Sequence, residues 1–173
     1  MNEDSFWQII EECFSRGNPD ERLEAYVARL EELPHEEVVE FQRVLNSVMV
    51  RAYRWDLIGA ACFLGCGQSD DGFEDFRAWL ISLGRETFEN VLADPDLIVT
   101  FPYDESPTEE WHCEDLHMTP SEIGGEEDDE EWPYLQDPDS PAGEPVEMTQ
   151  GVLKKRFPKF WERFGSKFMT GIP

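Results

Sequence analysis

The chain is poor in positive charge. Fourteen Lys and Arg stand against 39 Asp and Glu in 173 residues, for a formal net charge of −25 and a pI near 4.2. A surface so negative repels phosphate backbones and anionic headgroups, which argues against direct nucleic-acid or membrane binding. It suits a basic protein partner, a cation, or simple solubility. Long apolar runs are also missing: the longest weakly polar stretch, "LIGAACFLGCG", falls well short of a bilayer span. The start, "MNEDSFWQIIEECF", is acidic and carries no basic region followed by an apolar core, so no secretory signal is expected. Cysteine is sparse, and the irregular spacing of Cys13, Cys62, Cys66 and Cys113 makes no disulfide framework. Reduced thiols and a cytoplasmic location are the expectation. Histidine occurs only at His35, His112 and His117; no Cys–His or Ser–His signature and no glycine-rich phosphate loop accompanies them.

What is there is enough to build a core. Hydrophobic residues make up 40% of the chain and aromatics 13%, and the length suits one domain. In "DSFWQIIEECFSRG", Phe6, Ile9, Ile10, Cys13 and Phe14 share a helical face, with Asp4 or Ser5 as the cap and Gly17 as the stop. The next helix has Asn18 as its cap, Pro19 in its first turn, and Asp20 and Glu21 where the helix dipole favours acid. Its apolar stripe is Leu23, Tyr26, Val27 and Leu30, and Pro34 ends it. A third pattern runs through Val38, Phe41, Leu45, Val48 and Met49, then becomes apolar almost all round from Trp55 to Leu64. A break near Tyr53–Asp56 would divide it, with the second piece buried at the centre. Phe73, Phe76, Trp79, Leu80 and Leu83 form another broad face, continued beyond Gly84 by Phe88, Val91 and Leu92. The one candidate strand is "LIVTF", residues 97–101.

From Pro102 the composition turns to Pro, Gly and acid, with Trp111, Leu116, Trp132, Tyr134 and Leu135 scattered through it. Such anchors predict a long loop laid on a helical body rather than free disorder. The end reverses the charge: Lys154, Lys155, Arg156, Lys159, Arg163 and Lys167 are six of the fourteen basic residues, interleaved with Leu153, Phe157, Phe160, Trp161 and Phe164. On so acidic a chain this segment is expected to dock on its own body and bury its aromatics. The organisation predicted is a helical core over 1–101 and an acidic extension with a C-terminal helix over 102–173, packed on the same domain.

Three constellations bear on function. Cys62, Cys66, His112 and Cys113 are residue types that zinc accepts, but they lack knuckle spacing, and Cys62 lies in an apolar helix where a thiol behaves as a small hydrophobe. No metal and no cofactor is expected. In "GQSDDGF", Asp70 and Asp71 with Arg77 and Arg85 could form an acid/base or cation-binding cluster, the basis of a hydrolase or nucleotide-handling reading. A structural account is simpler: Ser69 or Asp70 caps a helix, Asp71 sits in its first turn, and Arg77 reaches a carboxylate on a neighbouring helix. The run Glu126, Glu127, Asp128, Asp129, Glu130, Glu131 is a solvated charge block or the docking site of a basic partner, with Trp132 beside it as an aromatic anchor.

"FWQIIEE" at the start, "AYRWDLIGAACFLGCGQSDDGFEDFRAWLISLGRETFENVLADPD" over 52–96, and "WHCEDLHM" further on resemble the bacterial DUF4240 family. The resemblance covers roughly residues 4–117 and implies a mainly helical fold; it supplies no reaction. Family members read as a regular helix after the tryptophan. Here "HMTPSEIGGEEDDEEW" departs from that, and Pro120 and the glycines argue against a helix.

Together these readings predict a mainly α, compact helical domain with an acidic irregular C-terminal third closed by a short basic amphipathic helix. The expected function is non-catalytic binding of a basic protein, as an immunity-type inhibitor of a toxin or nuclease or as a DNA mimic.

Overall fold

A computed structural model describes residues 1–15, 17–67, 69–100, 114–125 and 132–168, leaving aside the side chains of residues 164 and 166–168. Its helices are α1 (Glu3–Phe14), α2 (Pro19–Glu31), α3 (His35–Arg51), α4 (Trp55–Phe63), α5 (Asp70–Ser82), α6 (Arg85–Ala93), α7 (Glu114–Gly124), α8 (Gln150–Arg156) and α9 (Pro158–Phe168). A 3-10 turn, Pro95–Thr100, follows α6. The mainly α class therefore holds, and no strand occurs among the described residues.

Local chemistry explains most boundaries. Asn18 caps α2 in a reciprocal box: its side chain accepts from Glu21 N and Glu21 Oε2 accepts from Asn18 N, both at 3.0 Å. Asn2, rather than Asp4 or Ser5, caps α1, accepting from Ser5 N at 2.9 Å. The break between α3 and α4 falls where the switch in apolar periodicity placed it. Helix α4 ends in a Schellman turn: Cys66 N donates to Ala61 O at 3.1 Å and Gly65 N to Cys62 O at 3.3 Å, with Gly65 at φ +84°. Ser69 then caps α5 through Gly72 N at 3.1 Å. The "GCGQSDDG" stretch is thus one helix stop followed at once by a helix start.

Two expectations fail. Residues 97–100 are not a strand but part of the 3-10 turn; Pro95 opens it, and Ile98 and Val99 are buried without a pairing partner strand. Residues 114–124 are a regular helix despite Pro120. Proline cannot donate to the carbonyl four residues back, which is Leu116 O, and that carbonyl is buried. The Tyr26 hydroxyl donates to it instead, at 2.9 Å. A long-range side chain replaces the missing amide, so the helix persists.

The core is continuous. Phe6, Trp7 and Ile10 of α1, Tyr26 and Leu30 of α2, Phe41 and Met49 of α3, Leu57 and Ala60 of α4, Phe76 and Leu80 of α5, and Phe88 of α6 are buried in one cluster with Leu116 of α7. Helix α7 packs on α2, α3 and α5; α9 packs on α4 and the 3-10 turn. Leu153, Phe157 and Phe160 bring the chain's end into the same core, Phe160 stacked on Phe63 at 5.2 Å between centroids. Gly59 admits this packing, since a Cβ there would lie 3.2 Å from the Phe157 ring. No helix among the described residues is long and apolar enough to cross a membrane.

Candidate functional site

Arg77 is the most buried charge in the described fold, with 1% of its surface exposed. It projects from the middle of α5. Nη1 and Nη2 donate to the two carboxylate oxygens of Asp137 at 2.7 Å each, and Nη1 also donates to Met49 O at 3.2 Å. The guanidinium carbon stands 5.1 Å from the Tyr53 ring centre and 5.3 Å from that of Phe73. A paired, forked carboxylate and two aromatic faces are what a desolvated guanidinium requires; Nε alone is left without a partner. The expected carboxylate was on a neighbouring helix. The one observed is 60 residues on, in the irregular segment between α7 and α8.

That segment is a strap. Trp132 is 4% exposed, seated where Gly124 carries no side chain: a Cβ there would lie 2.9 Å from the indole and from Val38. The next carbonyl, Pro133 O, accepts from Asn46 Nδ2. After Asp137 the chain pairs in parallel with the α3–α4 corner, Ala142 N donating to Tyr53 O at 2.9 Å and Trp55 N to Ala142 O at 3.0 Å. Trp132, expected either as an anchor of the loop on its own body or as an anchor for a partner, is anchored within its own chain. Glu126, Glu127, Asp128, Asp129, Glu130 and Glu131 lie outside the described residues.

The four residues of the alternative cluster are not brought together. Asp70 and Asp71 are exposed in the first turn of α5. Arg85 pairs with Asp4 at 2.6 Å and lies 3.9 Å from Glu3, on α1. Arg77 faces the interior. No ion pair joins any two of the four.

A second polar centre lies where α5 meets α7. His117 Nδ1 is 3.3 Å from Glu74 Oε1 and its Nε2 is 3.6 Å from Asp75 Oδ1. Burial, with the nearby Asp75 and Cys62, pushes the Cys66 thiol up to about 11. Cys66 donates to Leu64 O at 3.6 Å, and Cys62, raised by burial, to Gly67 O at 3.4 Å. Both remain thiols near neutral pH, unlike an activated nucleophile. Cys13, Cys62 and Cys66 are unbridged; His112 and Cys113 lie outside the described residues. Among the described residues no three His, Cys, Asp or Glu side chains are grouped to hold a metal ion.

A third feature fastens the chain's end. Asp96, 3% exposed, accepts from Lys159 N at 2.8 Å and Phe160 N at 2.9 Å, capping α9 from another element. Arg163 Nη1 donates to Val99 O at 2.6 Å, and Lys159 lies 3.6 Å from Asp94. Sequence reading missed Asp96, Asp137 and Asn46. Each acts across at least 60 residues of chain, and the only local hint was an acid set among prolines or beside an apolar run.

The family model described as a protein of unknown function, DUF4240, matches residues 1–123. The chain belongs to the DUF4240 family. No curated protein and no solved structure matches it. The DUF4240 match takes in Arg77, Asn46, Gly124's neighbour Ile123 and Asp96, and stops before Trp132, Asp137 and α8–α9. Asn46, Tyr53, Trp55 and Arg77, which hold the strap, thus lie in the family-matched part, and Gly124 and the strap lie beyond it.

Proposed function

We propose that the protein is a non-catalytic acidic binding module whose partner is a basic protein. One observation carries the reading: six cations of the helical body already face carboxylates of the same chain, while several outer acids have no ion pair among the described residues. Arg29, Arg43, Arg51, Arg54, Arg77 and Arg85 each lie against an Asp or Glu. Asp20, Glu24 and Glu31, on one face of α2, and Glu36 and Glu37, in the first turn of α3, are exposed and make no ion pair among the described residues. A basic toxin or nuclease has the matching chemistry, which makes an immunity-type inhibitor the specific form of the proposal. Mimicry of DNA by ordered carboxylates is the same surface read by a different partner. The scattered positions of Asp70, Asp71, Arg77 and Arg85 give the enzymatic alternative no supporting geometry.

Capture from the native host tests this, because it presumes no partner. The recovered protein should be basic, and its association should be electrostatically steered, since exposed charges more than about 8 Å apart are largely screened at physiological ionic strength. Changing Asp20, Glu24, Glu36 and Glu37 to their amides should slow association at low salt by about tenfold or more while leaving dissociation nearly unchanged. An association rate indifferent to both salt and these substitutions would sink the charge argument.

A further inference from the structure

The strap is held as a peptide ligand is held. Residues 132–149 form no helix, and their pairing with the body is the single bridge at Ala142. Within "WPYLQDPDSPA" the body recognises an indole in the Gly124 recess, the Pro133 carbonyl through Asn46, a carboxylate through Arg77, and the backbone of Ala142 through Tyr53 and Trp55. Alternating side-chain and main-chain recognition of an extended segment is the logic of peptide-binding grooves. Three prolines, Pro133, Pro138 and Pro141, restrict the segment to extended backbone and lower the ordering cost of docking it. Tyr134 projects outward, 56% exposed, so the strap covers the groove without burying all of its own apolar surface.

We propose that this groove is a receptor site for an extended, proline-rich acidic peptide. Residues 132–142 are its built-in occupant, and a partner's segment of the same chemistry displaces them: a tryptophan with a carboxylate five residues on. The site is independent of the acidic α2–α3 edge and would take an acidic peptide where that edge takes a basic protein.

Two measurements decide it. In the intact chain, displacement requires the strap to open without global unfolding. The amides of Trp55 and Ala142 should then exchange with solvent at least about a hundredfold faster than the buried amides of α3 and α5. Equal rates would mean the strap opens only with the whole domain, and would overturn the proposal. In the full chain carrying Trp132→Ala and Asp137→Ala, the strap loses its indole and carboxylate contacts and keeps only its weaker main-chain ones. A fluorescent synthetic peptide of residues 132–143 should bind this variant at least about tenfold more tightly than it binds the intact chain, whose tethered strap competes at millimolar effective concentration. Alanine at the peptide's tryptophan, or Asn at its Asp137 position, should each weaken binding about tenfold or more. Absence of peptide binding by a variant that keeps its helical circular dichroism, or binding that ignores the Asp-to-Asn change, would also overturn it.

Discussion

Replacing Asp137 with alanine asks how much one carboxylate is worth to a buried guanidinium. Removing one partner of a buried pair costs about 3–5 kcal/mol, because a charge is left without its counterion. Here the two ends differ. The Arg77 side chain is 2% exposed and that of Asp137 26%, so water has some access to the site from the strap side. Arg77 also keeps Met49 O and the faces of Tyr53 and Phe73. The low end of the range applies, about 3 kcal/mol, which in a chain of this length lowers Tm by roughly 6–12 °C. High salt should barely change that loss, since screening acts on exposed charge. The decisive comparison is a double-mutant cycle in urea. With Arg77→Met in the background no charge remains to be stranded, and the same Asp137→Ala change should cost less than about 1 kcal/mol. Equal costs in both backgrounds, or a cost below about 1 kcal/mol in the wild-type chain, would refute the claim that the ion pair fastens the strap.

The repair at Pro120 predicts that Tyr26→Phe, which removes only a hydroxyl, strands the Leu116 carbonyl and costs about 1–3 kcal/mol by chemical denaturation. In a Pro120→Ala background an amide can serve that carbonyl, and the cost should shrink. Cys66 should resist alkylation: at pH 8 a thiol with a pKa of about 11 reacts about a hundredfold more slowly than one near the ordinary value of 9.0, a ratio readable by mass spectrometry with iodoacetamide. Its folded pKa lies above the unfolded one, so its contribution to stability is complete below about pH 9 and is lost as pH rises toward about 11. Asp96→Ala removes the acceptor of two amides at the start of α9. It should cost about 1–2 kcal/mol and speed tryptic cleavage after Lys154, Lys155 or Arg156; unchanged proteolysis would show that the buried aromatics alone hold the end.

What could be read ahead of the structure was local. The Asn18 cap, a cap at Ser69 or Asp70, and the break before Trp55 follow from residues within four positions of one another. The apolar stripes placed Phe6, Phe41 and Phe76 in the core for the same reason. What escaped was set by contacts distant in sequence. Pro120 forbids a helix by local rules, and only Tyr26, 90 residues earlier, makes one tolerable. Residues 97–100 have strand-like composition, but tertiary packing beside Pro95 overrode it. Arg77 was rightly assigned a carboxylate partner, yet nothing in its neighbourhood of the sequence points to Asp137. Trp132 reads both as an anchor of a loop laid on the body and as a partner anchor beside the acidic run; its burial fits the first, and its seat depends on the missing side chain at Gly124, which no local pattern marks.

The distance between Arg77 and Asp137 along the chain also has a meaning in time. A polypeptide grows from its N-terminus at roughly 5–20 residues per second, so the 60 residues between the two take about 3–12 s to make. Through that interval the nascent helices possess a guanidinium whose native place is interior and whose counterion does not yet exist. Asp96 is in the same position, since the amides it caps are made 63 and 64 residues later. The body matched by the family and the segment beyond it are thus joined in sequence of manufacture as well as in space: the native arrangement of the first 100 residues is completed by the last 40.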